Sequence, residues 1–230
     1  DDARTLDAPK SGILQVIDVG GLARCAHRGV WVLRRPGQVV LKGAPLVQVA
    51  GQGDDPALLD CFVIGDHRTF EQDPGFALTV LSEIASRALS PAVNDPGTAI
   101  GVIGRLVRLL AEFGETYQKS VDPAHAKPPR CDCVWLAPLS FDDLFDDAFM
   151  GIARDGASMI EVQVRLLKGL GALREAGPLG ARVAAIRHAK LAVERALSAL
   201  TIESDRAMLR DAALHVLDAA EIAQLEAAAR

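Results

Sequence analysis

A chain of 230 residues and 24.4 kDa is long enough to bury about 70% of its unfolded surface, so its core needs no disulfide staples. A net charge of −5, with no Lys/Arg stripe interleaved with aromatics, excludes an electrostatic nucleic-acid surface; the densest basic run is Arg34–Arg35. No run of about eighteen apolar residues is present to span a bilayer, and no basic start followed by an apolar stretch marks a signal peptide.

Apolar residues make up 50% of the chain but aromatics only 4%. Much of the apolar share is Ala and Leu, the strongest helix formers. The chain begins at Asp1 rather than Met, and Asp1 to Lys10 is polar with no apolar period. Residues 1–11 therefore read as a flexible lead-in, and the chain as a soluble piece of a larger protein.

Residues 12–64 read as a small β module. Ile13–Ile17, Val30–Leu33, Val39–Leu41, Leu46–Val49 and Cys61–Ile64 are short runs with β-branched content. Gly20-Gly21, Pro36-Gly37 and Gly43 punctuate them as turns. Residues 51–60 read as a polar loop. The pattern resembles half of a biotinyl/lipoyl-type barrel in architecture. Lys42 beside Gly43 lacks the flanking pattern of an attachment lysine, so no cofactor is expected.

Residues 65–228 read as mainly helical. Ala77, Val80, Leu81, Ile84, Ala85 and Ala88 form one helical stripe after Pro74, and Ala99, Val102, Ile103, Leu106, Leu110 and Phe113 a second after Pro96. Residues 116–130 read as a loop, and Cys133–Leu136 as one late strand. Further helices are expected over 141–154, 158–175, 181–199 and 202–228. The short link at 174–180 argues for antiparallel neighbours in a helical bundle. The fold class is α+β.

Cys25, Cys61, Cys131 and Cys133 contain no CxxC pair. Free thiols in a reducing compartment are the expected state, and no metal site is expected.

Between the two Pro-initiated helices lies the densest motif: His67-Arg68-Thr69-Phe70-Glu71-Gln72-Asp73-Pro74, a helix, then Arg87-Ala88-Leu89-Ser90-Pro91-Ala92-Val93-Asn94-Asp95-Pro96 with Thr98-Ala99. This resembles the signature of an uncharacterised family described as predicted membrane proteins (domain of unknown function 2254), and the likeness covers nearly the whole chain. A weaker echo lies at Ser140-Phe141 and Asp147-Ala148-Phe149; there the family follows Ile with Arg, where this chain has Ile152-Ala153-Arg154. Members carry an N-terminal group of transmembrane helices before a soluble part. The resemblance implies a parent in the bacterial inner membrane, joined through an N-terminal segment, and it supplies no activity.

The motif reads two ways. Asp73-Pro74 and Asp95-Pro96 each fit a side-chain N-cap with Pro at the first helical position. Ser140-x-x-Asp143 fits a capping box, and Arg87 in a last turn complements the helix dipole. Capping leaves Arg68, Glu71 and Asn94 unexplained. The alternative is a ligand site of Arg68, Glu71, Asp73, Arg87, Asn94 and Asp95, with Arg68 anchoring a small polar or anionic molecule. Flanking Phe70, Phe76, Ala92 and Val93 would draw Arg68, Glu71, Asn94 and Asp95 into one polar pocket. Asp73 and Asp95 stand roughly 24 Å apart along an intervening helix, which argues against an acid/base dyad within one chain.

Lesser readings are a His67/Glu71 metal pair on one helical face, an anion at Gly97–Thr98, and a cation among Asp142, Asp143, Asp146 and Asp147. Solvated, dipole-favoured carboxylates suit that last cluster better. His27, His125, His188 and His215 read as surface or helix-face residues. GxxxxGK[ST], GxSxG, HExxH and GxGxxG are absent, which favours a non-enzyme. The leading reading is a regulatory or small-ligand-binding domain on the cytoplasmic side. A hydrolase using the carboxylates of 68–95 and a structural homo-oligomerisation domain are the alternatives.

Overall fold

The computed structural model describes residues 3–25, 28–52, 54–122 and 133–228. They fall into two units, one of Asp1–Ala77 with Lys127–Leu139, the other of Leu78–Ala126 with Ser140–Arg230.

The first unit holds all seven described strands: β1 (Ala3–Asp7), β2 (Gly12–Ile17), β3 (Gly29–Val32), β4 (Val39–Val40), β5 (Pro45–Ala50), β6 (Phe62–Gly65) and β7 (Val134–Leu136). One sheet runs β1-β5-β3-β7 and the other β4-β2-β6. Only the β3–β7 pair is parallel, and it places Trp31 opposite Trp135 with their rings stacked at 4.9 Å. Alternation makes the core: Val30 and Val32 point inward while Trp31 faces out. Leu14, Leu46, Val47 and Leu58 complete it with no exposed surface.

Three expectations fail in this unit. Ala3–Asp7, read as flexible lead-in, is a strand paired along β5, because Leu6 enters the core opposite Val47 and Arg4 ion-pairs with Asp55. Val19–Cys25 forms helix α1 across the Gly20-Gly21 expected to turn. Asp55–Leu59, expected as loop, forms α2, capped by Asp54 with Pro56 in its first turn.

The second unit is helical. Its elements are α3 (Pro74–Ala88, which begins in the first unit), α4 (Pro96–Val121), α5 (Phe141–Asp155), α6 (Ile160–Ala176), α7 (Leu179–Ala199), α8 (Glu203–Ala213) and α9 (Ala219–Ala228). Helix α4 outruns its expected end and includes the start of the stretch read as loop; residues 123–132, with Cys131 and His125, lie outside the described residues, as does His27. The single helix expected over 202–228 is two, broken after Ala213. The late strand expected in the helical region joins the β unit through its pairing with β3.

Helix α6 packs on α4, α7 and α8, and α5 on α7. Helix α7 buries Ala181, Ala184, Ala185, Ala189, Ala192 and Ala196, small side chains that let neighbouring helices approach closely. Phe145, Phe149 and Leu166 are fully buried in the unit's core. Among the described residues, no helix is long and apolar enough to cross a membrane.

Candidate functional site

The segment 66–73 is irregular rather than helical, so His67 and Glu71 do not share a helical face. Its side chains make a clasp. Gln72 bonds both backbone groups of Ile17: its Oε1 accepts from Ile17 N–H at 3.0 Å and its Nε2 donates to the Ile17 carbonyl at 3.2 Å. Gln15 Nε2 donates to the His67 carbonyl at 2.7 Å. The amide of Gln72 thus stands in for a strand residue at the end of β2.

Asp73 is only 5% exposed. Arg68 grips its carboxylate bidentately, Nε at 2.6 Å from Oδ2 and Nη2 at 2.9 Å from Oδ1. Phe76 N–H donates to Oδ1 at 3.1 Å, the expected cap at the start of α3. The Arg68 guanidinium also lies 5.2 Å over the Phe76 ring, which stacks on Phe70. Glu71 is exposed and accepts from Thr69 Oγ1 at 3.4 Å.

Arg87 closes the fifteen-residue helix α3 that follows this clasp, and Asn94 and Asp95 lie past its end. Arg87 is exposed in the last turn, and its carbonyl accepts from the Ser90 backbone and from Ser90 Oγ at 2.7 Å. Asp95 caps α4, accepting from Thr98 N–H at 3.0 Å and from Thr98 Oγ1 at 2.6 Å. The Thr98 hydroxyl, then its N–H, holds the Asp95 carboxyl below the usual range. Its own carboxylate thereby occupies the α4 N-terminus, where an external anion was considered at Gly97–Thr98.

Asn94 takes the left-handed conformation, φ 49°, alone among the described non-glycine residues. Asn tolerates that region because its short polar side chain adds little steric penalty. The turn Ser90–Asp95 is closed by backbone bonds from Val93 and Asn94 to the Ser90 carbonyl and from Asp95 to the Ala88 carbonyl.

This turn forms one wall of a cleft of about 620 Å³. Its polar lining is Ser86, Ser90, Asn94, Asp155 and Ser158, with Met159 on the apolar side. Arg68, Glu71, Asp73, Arg87 and Asp95 are not among its lining residues. Helix α5 supplies the opposite wall because Gly151 lets α3 come close: a Cβ there would lie 2.9 Å from Ser86 Oγ. Asp155 ends α5, and Arg154 binds it at 2.6 and 3.0 Å. The Arg154 hydrogen bond above all, with help from the Ser86 hydroxyl, holds the Asp155 carboxyl below its usual range against the effect of burial. The cleft therefore offers three hydroxyls, one amide and one ionised, already neutralised carboxylate.

Two polar residues in the helical unit escaped sequence reading. His188 is not a surface residue: it is 2% exposed, between Phe145 and Phe149, with Nε2 at 3.0 Å from Asp146 Oδ1. Burial, then the Arg187 charge, pushes its pKa down to about 4. Its spacing from Ala181, Ala184 and Ala185 would have placed it on the buried stripe. Gln163 is fully buried, its Nε2 donating to the Gly156 carbonyl at 2.9 Å, and its Oε1 has no partner. In the acidic cluster, Arg187 bridges Asp142 at 3.0 Å and Asp146 at 2.8 Å, so those carboxylates are paired across helices rather than merely solvated. Among the described residues, no three His, Cys, Asp or Glu converge to hold a metal.

A family model described as a predicted membrane protein (DUF2254) matches residues 1–172. The chain is 32% identical to the uncharacterized protein Rv1290c of Mycobacterium tuberculosis and to the uncharacterized protein Mb1321c of Mycobacterium bovis, each over 96% of this chain and 44% of theirs. The chain thus spans under half the length of these curated relatives. No solved structure matches it.

Proposed function

The chain belongs to this family of predicted membrane proteins, and on that premise we propose that it is a small-ligand-binding domain whose seat is the Asn94 cleft. The carrying observation is that the Ser90–Asp95 turn, part of the motif in which the sequence resembles the family, meets the end of α5 at one cleft of about 620 Å³. That volume lies within the range of small-molecule sites.

The chemistry of the lining selects the ligand. With Asp155 already paired to Arg154, no free charge dominates, and three serines and an amide supply both donors and acceptors. A small, net-neutral polar molecule rich in hydroxyl or amide groups suits this set better than a simple anion. The carboxylates on which a hydrolytic reading would draw are engaged instead, Asp73 by Arg68 and Asp95 by Thr98. A cytoplasmic position for the domain is part of the proposal, supported by cysteines that form no disulfide among the described residues.

The test is a panel of polyols, sugars and amino-acid amides screened by thermal shift, with titration calorimetry on each hit. Asn94→Gly removes the amide yet keeps the backbone conformation, and Ser158→Ala removes one hydroxyl. Each should weaken a true ligand about tenfold. Hits that bind both variants as tightly as the parent chain, or a panel without hits, would sink the proposal.

A further inference from the structure

Sequence spacing leaves Cys25 and Cys61 as separate thiols, thirty-six positions apart. The fold brings them together. Asp18 N–H donates to the Cys61 carbonyl at 2.9 Å, which ties the entry of α1 to the entry of β6. Gly21, in the first turn of α1, lies so near Cys61 that a Cβ there would be 2.8 Å from its Sγ. Only a residue without a side chain leaves that gap open. Cys25 is one turn further on the same face of α1, and helical side chains slope back toward the N-terminus. Its thiol therefore leans toward the gap at Gly21 and the Cys61 side chain beyond it, close enough to act on the Cys61 thiol, whose own hydrogen goes to the Ala57 carbonyl at 3.4 Å.

The two sulfurs are unlike in setting. Cys61 is 8% exposed and Cys25 is half-buried at the helix end, open to solvent. Burial first, then Cys25 and the Asp18 carboxylate, push the Cys61 thiol up, so it stays protonated at neutral pH. That division suits an attacking thiol at Cys25 and a resolving thiol at Cys61.

We propose that Cys25 and Cys61 form a redox-active dithiol, a modification site that a hydroperoxide converts to an intramolecular disulfide. The Cys25 thiolate attacks one peroxide oxygen. The O–O bond breaks, leaving Cys25 as a sulfenic acid and releasing hydroxide, which takes up the thiol's proton as water. Cys61 sulfur then attacks the Cys25 sulfur. The S–S bond forms, the S–O bond breaks, and the departing hydroxyl leaves as water with the Cys61 proton. Two thiols are oxidised, and one hydrogen peroxide is reduced to two waters. The new bond links the last residue of α1 to the residue before β6.

The reduced full chain is treated with hydrogen peroxide at equimolar ratio, the remaining thiols are alkylated, and the product is analysed by intact mass and non-reducing peptide mapping. The expected product carries two fewer alkyl groups, yields a peptide joining Cys25 to Cys61, and melts several degrees higher until dithiothreitol restores the starting value. Cys25→Ser, at the partly exposed position, should abolish the cross-link with an unchanged circular dichroism spectrum. Cys61→Ala should leave Cys25 as a sulfenic acid that dimedone traps; if that variant fails to fold, the parent chain and Cys25→Ser still decide. Full alkylation of Cys25 and Cys61 after peroxide, or a cross-link from Cys25 to Cys131 or Cys133 instead, overturns the proposal.

Discussion

Gly37 packs directly onto the carboxylate of Asp73, so a Cβ at position 37 would overlap Asp73 Oδ2. Its φ of +90° is a conformation that only glycine adopts without strain. The turn after β3 is therefore shaped around the buried carboxylate of a partly solvated ion pair. Gly37→Ala should destabilise the chain by about 2–3 kcal/mol, the sum of backbone strain and displacement of the carboxylate. Urea unfolding of the two proteins measures it, and a loss within error would show that the turn relaxes freely.

The two capping aspartates should separate in a mutational comparison. Asp73→Ala removes a cap and also leaves the partly buried Arg68 guanidinium without this carboxylate. The loss should be about 2–4 kcal/mol, below the full value for a deeply buried pair because Arg68 is partly solvated. Asp95→Ala removes only a solvent-exposed cap, and its effect should be the smaller of the two. Equal losses in parallel denaturant titrations would contradict the ion-pair account.

His188 predicts a dependence on acid. Its folded pKa of about 4 lies below the ordinary 6.5. Above 6.5 the ring is neutral in both states and contributes no slope. As pH falls from 6.5 toward 4, the unfolded chain takes up a proton that the folded chain refuses, so stability is lost across that window, by about 3 kcal/mol. The groups facing the ring are Arg187, Asp142, Asp146, Phe145 and Phe149; the Asp146 carboxylate offsets part of the effect. His188→Gln should flatten the curve of unfolding midpoint against pH. An unchanged slope in that variant would assign the acid sensitivity to other groups.

Backbone conformation makes Asn94 a position where substitutions should rank in an unusual order. Asn94→Gly should change stability by less than about 1 kcal/mol, because glycine accepts φ 49° freely. Asn94→Val, despite keeping a side chain, should lose about 1–2 kcal/mol more, because a β-branched residue is strained there. Thermal unfolding of the pair gives the order directly, and a valine variant as stable as the glycine one would contradict it.

What the sequence made legible follows from the range of the forces involved. The strands at Val30–Val32 and Pro45–Ala50 and the helices after Pro74 and Pro96 are written in local apolar periods and Asp-Pro caps. β1 was hidden because Leu6 is its one large apolar residue, and its order comes from pairing with β5. α1 was hidden because Gly20-Gly21 spells a turn, whereas Gly21 serves the close approach to Cys61. For the candidate site, the turn carrying Asn94 was visible as a motif. Asp155 and Ser158 were not, since only the packing of α3 against α5 brings them to that turn. Arg68 was expected to reach outward to a ligand, yet it binds Asp73 five residues away in its own segment.

The chain path of β7 has a consequence for biosynthesis. The first unit is interrupted after Ala77 and resumes at Lys127, so its four-stranded sheet receives its last strand only after α3 and α4 have been made. At a ribosome adding residues from the N-terminus, Trp31 emerges long before its stacking partner Trp135. The nascent sheet must wait with the β3 edge unpaired, and closing it bridges more than a hundred residues of sequence. Synthesis halted before Val134 would release a chain with that edge open, a ready target for chaperones or for pairing with another copy.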